Sequence, residues 1–344
     1  MNQSTKPLKP VSVIIPTLQA EGTLPELLAQ LKAQTCPVTE IIVVDSSSKD
    51  RTGEIAAEAG CLVQFINRED FSHGAARNLG ARLARGDILV FLTQDVVPVN
   101  NVFLENLIAP VAAGKAAASS ARQVAGDSAS PLEKYARIHN YPSESQVCTV
   151  ESIRKKDKPC FLFSNAASAL DAEVFLGLGG FSENLIVNED MQIFNRLMNA
   201  GYSAAYQAEA VVEHTHNYGT VDIFRRYFDI GIFFSQAGDE PGRFSIAGNG
   251  IRYALGELFY LFKQGKWGWI PVSAFLSLDK YLAFRLGLCW RNLPDRLAQK
   301  LSRHPMVLRR LQKNKTLSEH GGPETDPDGA GRSNDPAHFE EQRR

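Results

Sequence analysis

Continuous apolar runs alternate with amphipathic stretches through the first quarter of the chain. Val11–Pro16 (VSVIIP) and Glu40–Asp45 (EIIVVD) carry no polar alternation, the pattern of strands buried on both faces of a parallel sheet. Leu62–Asn67 and Asp87–Leu92 (DILVFL) read as two more strands. Between them, Thr23–Gln34 places Leu24, Leu27, Leu28 and Leu31 at helical spacing, with Pro25 in the first turn where proline is tolerated. Ser46–Ser48 supply N-cap candidates for a second helix through Ala59, which Gly60 stops, and a third covers Gly74–Arg85 and ends at Gly86. Strands and helices alternating at this spacing predict an α/β fold with a doubly wound, mostly parallel sheet.

The second half is less regular. Phe161–Ala169 is expected as a strand, Ala172–Leu178 as a short helix, Glu189–Asn199 as an amphipathic helix stopped by Gly201, and Ser203–His214 as extended chain. From residue 220 the chain is helical and strongly apolar, and near Lys313 a polar tail rich in Gly, Pro and Asp begins, whose composition predicts disorder. The expected organisation is a tail over 1–10, a catalytic domain over 11–219, a helical region over 220–312 and a second tail over 313–344.

Composition narrows the classes. A formal net charge of -1 gives no bulk attraction for nucleic acid. The five cysteines show no CxxC or zinc spacing, which suits reduced thiols in a cytosol. The polar start MNQSTKPLKP lacks a signal-peptide core, and no run reaches the ~20 apolar residues of a spanning helix. A cytoplasmic catalytic domain is expected.

Ligands of open parallel sheets bind beyond the carboxyl ends of strands. Here those ends carry Pro16-Thr17, Asp45-Ser46-Ser47, Asn67-Arg68 and Thr93-Gln94-Asp95. Serines there are explained equally by helix capping. Asp45 and Asp95 together are harder to explain so, since paired carboxylates need a cation or hydrogen-bond donors. The first turn, PTLQAEGT, has neither GxGxxG nor GxxxxGK[ST], which excludes the dinucleotide fingerprint and the P-loop.

VSVIIPTLQAEGTLPELLAQLKAQ, EIIVVDSSSKDRT and GDILVFLTQD, in this order and spacing, resemble the family 2 glycosyltransferases of the GT-A fold over about Val11 to Phe234. DFSHGAARNLGA, TQD and HTHNY–FRRYFDIG resemble the bacterial rhamnosyltransferases of that family. The resemblance implies that Pro16, Thr17, Asp45 and Ser47 line the nucleoside pocket of a nucleotide-sugar donor. His73, Arg77 and Asn78 open a helix, Arg77 four residues after His73 on one face, and a guanidinium there can fork onto phosphate oxygens; an ordinary surface helix is the alternative. Thr93-Gln94-Asp95 stands where the family has a DxD metal motif, with Thr93 in place of the first acid. One carboxylate plus donor phosphates can hold Mg²⁺ or Mn²⁺. His214 and His216 alternate on an extended segment and point to one side; by resemblance a histidine there completes the metal shell with Asp95, and structural or acceptor-contacting histidines are the other reading. Asn188-Glu189-Asp190 precedes a helix. An acidic first turn complements the helix dipole, but the family has an acidic pair here whose Asp is the general base, so Asp190 is favoured and Glu189 is the alternate.

The implied reaction is inverting transfer of a deoxyhexose, with dTDP-L-rhamnose as the expected donor and a saccharide or lipid-linked hydroxyl as acceptor. Aromatics and basic residues mixed through the C-terminal helices suit a helix lying in a membrane interface; a hydrophobic subdomain or a homodimer interface would use the same apolar residues. QxxRW is absent, which favours single-sugar addition. A sugar-nucleotide pyrophosphorylase would want a Gly-rich, Arg-bearing loop after the first strand. A non-catalytic binding protein of this fold would have lost some of Asp45, Arg77, Asp95 and Asp190.

Overall fold

The computed structural model describes residues 9–155, 160, 162–216, 218–236 and 246–319. The strands are β1 (Val11–Thr17), β2 (Glu40–Asp45), β3 (Leu62–Phe65), β4 (Ile88–Leu92), β5 (Val97–Pro98), β6 (Ala118–Val124), β7 (Gln146–Cys148), β8 (Ala167–Asp171) and β9 (Ala204–Glu213). They form one sheet in the order β3-β2-β1-β4-β8-β6-β9-β5, with β7 on β9. β1 to β4 are parallel, β8 runs antiparallel between β4 and β6, and β9 is parallel to β6. The mostly parallel sheet is as expected. The helices are α1 (Leu24–Lys32), α2 (Thr52–Glu58), α3 (His73–Leu83), α4 (Phe103–Ala112), α5 (Pro131–Asn140), α6 (Val150–Lys155), α7 (Ala172–Gly177), α8 (Glu189–Asn199), α9 (Thr220–Gln236), α10 (Ile246–Lys263), α11 (Ile270–Leu288), α12 (Asp295–Leu301) and α13 (Pro305–Glu319).

The apolar run of β1 serves both faces because successive side chains point to opposite sides. Val11, Val13 and Ile15 join Leu24, Leu27 and Leu31 of α1 and Phe103, Leu104 and Leu107 of α4 in one core. Ile14 lies on the other side with Ala76 and Ala81 of α3 and Ile193, Phe194 and Leu197 of α8. The close seat of α3 depends on Gly80, where a Cβ would fall 2.5 Å from Ile14 Cγ2.

The C-terminal helices build a third core from Phe228, Ile232, Phe233, Ala283, Trp290, Val307 and Leu308. Gly231 of α9 and Gly287 of α11 face each other, and a Cβ on Gly231 would lie 2.8 Å from Gly287 Cα and 2.3 Å from the Phe284 oxygen. This core includes Ile186, so the helical region packs against the segment that leads into α8. Fully buried Asp229 of α9 accepts from the Arg303 amide at 2.9 Å and fixes the turn before α13.

Four expectations need correction. Ser46–Ser48 do not cap α2: Ser47 is left-handed at φ 61°, the loop runs on, and the Asp50 carboxylate accepts from Thr52 N at 3.1 Å where α2 begins. The strand expected over Phe161–Ala169 is β8, Ala167–Asp171, and Phe161 lies outside the described residues. Cys148 and Cys160 are joined in a disulfide, their Cα atoms 5.8 Å apart, because the chain doubles back from β7 through α6; scattered positions in sequence concealed the pair. α13 continues to Glu319, past Lys313, since no Gly or Pro follows Pro305 until the HGGP segment. Beyond it the expected tail lies outside the described residues, as do residues 1–8.

Candidate active site

The turns beyond β1, β2 and β4 are tied into one unit. β1 and β2 end in register at Thr17 and Asp45. The Thr17 hydroxyl donates to Asp45 Oδ1 at 3.0 Å, and Ser48 donates to the same carboxylate from its amide at 2.9 Å and from its hydroxyl at 2.5 Å. Asp45 is buried and accepts from three donors, and among the described residues it forms no ion pair. Gln94 bridges to the first turn, accepting from Leu18 N at 2.7 Å and donating to Leu18 O at 3.1 Å. Among the described residues, three that are not glycine adopt positive φ: Gln19 at 50°, Ser47 at 61° and Asn188 at 62°. Each is uncommon and mildly costly, and all three lie in the turns that carry the candidate groups.

Asp95, His214 and His216 converge, with one ligating atom from each within 4.8 Å of the others. His214 Nε2 faces Asp95 Oδ1 at 3.5 Å and His216 Nδ1 faces Oδ2 at 3.7 Å, too long for hydrogen bonds. The tautomer of His214 follows from its other partner. Gln123 Oε1 accepts from Arg137 Nη1 at 2.6 Å and lies 2.8 Å from His214 Nδ1, so Nδ1 carries the hydrogen. In the neutral ring Nε2 then carries the lone pair that faces this carboxylate, buried and without a hydrogen-bond partner. Two acceptors face to face need a cation or a proton between them. Burial, and then the neighbouring His214, push His216 down to about 3, leaving it neutral with a lone pair to offer. Burial works to raise Asp95, but the two imidazoles and the Thr93 hydroxyl outweigh it and hold the carboxyl below its usual range. A carboxylate and two imidazoles are a donor set that fits a divalent cation.

Glu189 and Asp190 open α8, and they are not equivalent. Glu189 is buried, pairs with Arg77 Nη1 at 3.0 Å and accepts from Asn165 Nδ2 at 3.3 Å. Asp190 is partly exposed; it accepts from Asn165 N at 3.2 Å and Met191 N at 2.8 Å. Burial and the Glu189 charge raise its pKa to about 6. The same short segment joins the two halves of the site: Asn165 holds Asp190, and the oxygen of the next residue, Ala166, accepts from Thr93 N at 3.1 Å.

Other expected residues are placed differently. Arg77 is buried and spends its guanidinium on Glu189 and on the His73 carbonyl, so it does not present a free fork to phosphate. Asn78 donates to Phe181 O and Glu183 and accepts from Phe181 N, which secures α3 to the turn after α7. His73 packs edge-on against His304, the rings 4.9 Å apart, and burial pushes it down to about 3. Ser47 turns its hydroxyl to Ile66 O. Pro16 stands in β1 beside Val44. Sequence reasoning missed Asn165, Gln123, Tyr218, Arg226 and Arg303. Of these, only the HTHNY–FRRYFDIG stretch, which holds Tyr218 and Arg226, drew attention at all.

The profile of Glycosyl transferase family 2 matches residues 12–176. O-antigen chain rhamnosyltransferase RfbN of Salmonella typhimurium is 37% identical over 287 residues, 83% of this chain and 91% of that protein. The chain belongs to glycosyl transferase family 2. This glycosyltransferase is also 35% identical over 287 residues to O-antigen chain rhamnosyltransferase WbaN of Salmonella anatum, with 82% and 90% of the two chains covered. Its fold matches mannosyltransferase PcManGT from Pyrobaculum calidifontis, solved with GDP-Man and Mn2+, at a TM-score of 0.54, with 19% identity and 92% of each chain covered. The family match ends before Asp190 and before both histidines, so those residues rest on geometry.

Proposed function

We propose that this glycosyltransferase moves L-rhamnose or another deoxyhexose, with inversion, from a nucleoside diphosphate donor to a hydroxyl of a saccharide or lipid-linked acceptor. dTDP-L-rhamnose is the donor we favour, on the strength of the two rhamnosyltransferase relatives. The observation that carries the reading is the pairing of a carboxylate raised toward neutrality with the Asp95–His214–His216 cluster across one hinge segment. Asp190 takes the proton of the acceptor hydroxyl, in the pH range where a base of its pKa is ionised yet strong enough to accept. Asn165 N and Met191 N keep its oxygens aimed. Arg77 neutralises Glu189, which makes Glu189 the support of Asp190 and a poorer base. Thr17, Asp45 and Ser48 form a prearranged polar wall for the nucleoside. Asp95, His214 and His216 would hold Mg²⁺ or Mn²⁺, which supplies charge neutralisation for the departing diphosphate. Nucleoside diphosphate release from a panel of dTDP-, UDP- and GDP-sugars tests the donor. The expected result is fastest turnover of dTDP-L-rhamnose, and selective turnover of a UDP- or GDP-hexose would overturn that assignment.

We further propose that α10 and α11 rest on an anionic membrane surface. No helix among the described residues is long and apolar enough to cross a membrane. Ile251, Leu255, Phe259 and Phe262 form an exposed stripe on α10, and Phe275, Leu278, Leu282 and Leu286 form one on α11. Between residues 246 and 294 the acids are Glu257, buried, and Asp279, half-buried, while Arg252, Lys263, Lys266, Arg285 and Arg291 are exposed. A positive apolar face suits lipid headgroups, each base gaining roughly 1 kcal/mol near anionic lipid. The full-length protein should float with phosphatidylglycerol liposomes at low salt, and Phe259→Glu should release it. A protein that stays in the soluble fraction, and whose dimer the same substitution dissolves, would assign the face to a second copy instead.

A further inference from the structure

Two guanidinium groups converge on the metal-site edge. Tyr218 stacks on His216, the rings 4.6 Å apart and inclined by 17°. Arg303 lies over the Tyr218 ring with Cζ 4.5 Å from its centre, and Arg226 approaches the same ring at 5.9 Å. Among the described residues, neither guanidinium forms an ion pair with a carboxylate. Arg226 comes from α9, whereas Arg303 comes from the turn before α13, far along the chain from the other candidate groups. Its approach is built in: Asp229 holds the Arg303 amide, Arg310 donates to the Asp70 and Phe71 carbonyls ahead of α3, and His304 packs on His73. The positive field is felt locally. His304 is pushed down to about 3 by burial first, then by His73, Arg303 and, more weakly, Arg226.

Bringing two like charges together costs free energy unless an anion joins them. A fold that spends a buried aspartate and an arginine on anchoring this turn, yet gives the Arg303 guanidinium no ion pair among the described residues and leaves it over the Tyr218 ring, is arranged for a ligand anion. The reading above puts a diphosphate beside His216, one ring away. We propose that the C-terminal helical region completes the donor site, with Arg303, assisted by Arg226, binding the diphosphate of the nucleotide sugar. This rests on the glycosyl-transfer reading and adds that the domain over 11–219 is incomplete without residues 302–310. Arg77, enclosed by Glu189, leaves this role open.

The test is calorimetric titration of the full chain with dTDP and dTMP in the presence of Mn²⁺, using Arg303→Ala, Arg303→Gln and Arg303→Lys. Loss of one charge-assisted phosphate contact should weaken dTDP binding by about 10-fold or more. dTMP, lacking the outer phosphate, should weaken less, and Lys should restore part of the loss. Gln keeps a planar group over Tyr218 without the charge, so it decides the matter if Ala unfolds the turn. Arg303→Gln with wild-type preference for dTDP over dTMP and an unchanged melting temperature would overturn the proposal while leaving the glycosyl-transfer reading intact. Failure of the wild-type protein to bind dTDP, UDP or GDP would instead overturn the reading on which it rests.

Discussion

Asp190→Asn should lower kcat by at least ~100-fold, the lower range for loss of a general base, while donor affinity stays nearly unchanged. The side chain keeps its size, and its one amide oxygen can still accept from Met191 N although the second bond, from Asn165 N, is lost, so the turn before α8 should hold. What is lost is the proton acceptor. Glu189 cannot substitute, because it is buried against Arg77 at 3.0 Å. The same account gives a pH profile. Burial and Glu189 lift Asp190 to about 6, so its basic form dominates above that value. The kcat/KM should therefore fall as pH drops through about 6, and that limb should disappear in the Asn variant's residual activity. Glu189→Gln should act differently: it removes the charge that raises Asp190 and the partner of Arg77, so the acid limb should move to lower pH. Transfer by Asp190→Asn at the wild-type rate would assign the proton to another group.

The second large effect is expected at Asp95. Asp95→Asn should reduce kcat/KM on the order of 100-fold or more, and excess EDTA should silence the wild-type protein until Mg²⁺ or Mn²⁺ is restored. The reason lies in the local chemistry. Gln123 fixes the His214 tautomer so that its lone pair, the His216 ring and the Asp95 carboxylate all face one point, an arrangement that is repulsive when empty of positive charge. Asn in place of Asp removes the only negative ligand of the three. A direct readout is Mn²⁺ binding followed by electron paramagnetic resonance, which should be tight in the wild type and weak in Asp95→Asn and His214→Ala. Full activity in EDTA would leave Asp95 a different role and put the burden of neutralisation on Arg226 and Arg303.

Much of the catalytic half is legible in sequence because its strands are buried on both faces. VSVIIP and EIIVVD have no other soluble home, and their polar ends fall where open parallel sheets bind ligands. α8 was legible to the residue, since Glu189–Asn199 is strongly amphipathic and bounded by Asn188 and Gly201. The features that were not legible depend on contacts between residues distant in the chain. Cys148 and Cys160 meet only because the chain returns past β7. Arg77 looks like a phosphate ligand in FSHGAARNLGA, but it is claimed by an acid more than a hundred positions away. Arg303 sits in SRHP, an unremarkable polar turn, and acquires significance only because Asp229 draws that turn onto Tyr218. Ser46–Ser48 read as caps because serine suits both caps and ligand loops, and only the left-handed Ser47 distinguishes the two.

The most direct test of the whole account is release of dTDP from dTDP-L-rhamnose by three proteins side by side: wild type, Asp190→Asn and Asp95→Asn, each with its dTDP affinity in Mn²⁺ measured in parallel. The account predicts turnover by the wild type on the order of 100-fold or more faster than by either variant, dTDP binding retained in Asp190→Asn, and dTDP binding weakened in Asp95→Asn. Turnover by both variants at the wild-type rate would contradict it, because the base and the metal ligand would then lie elsewhere.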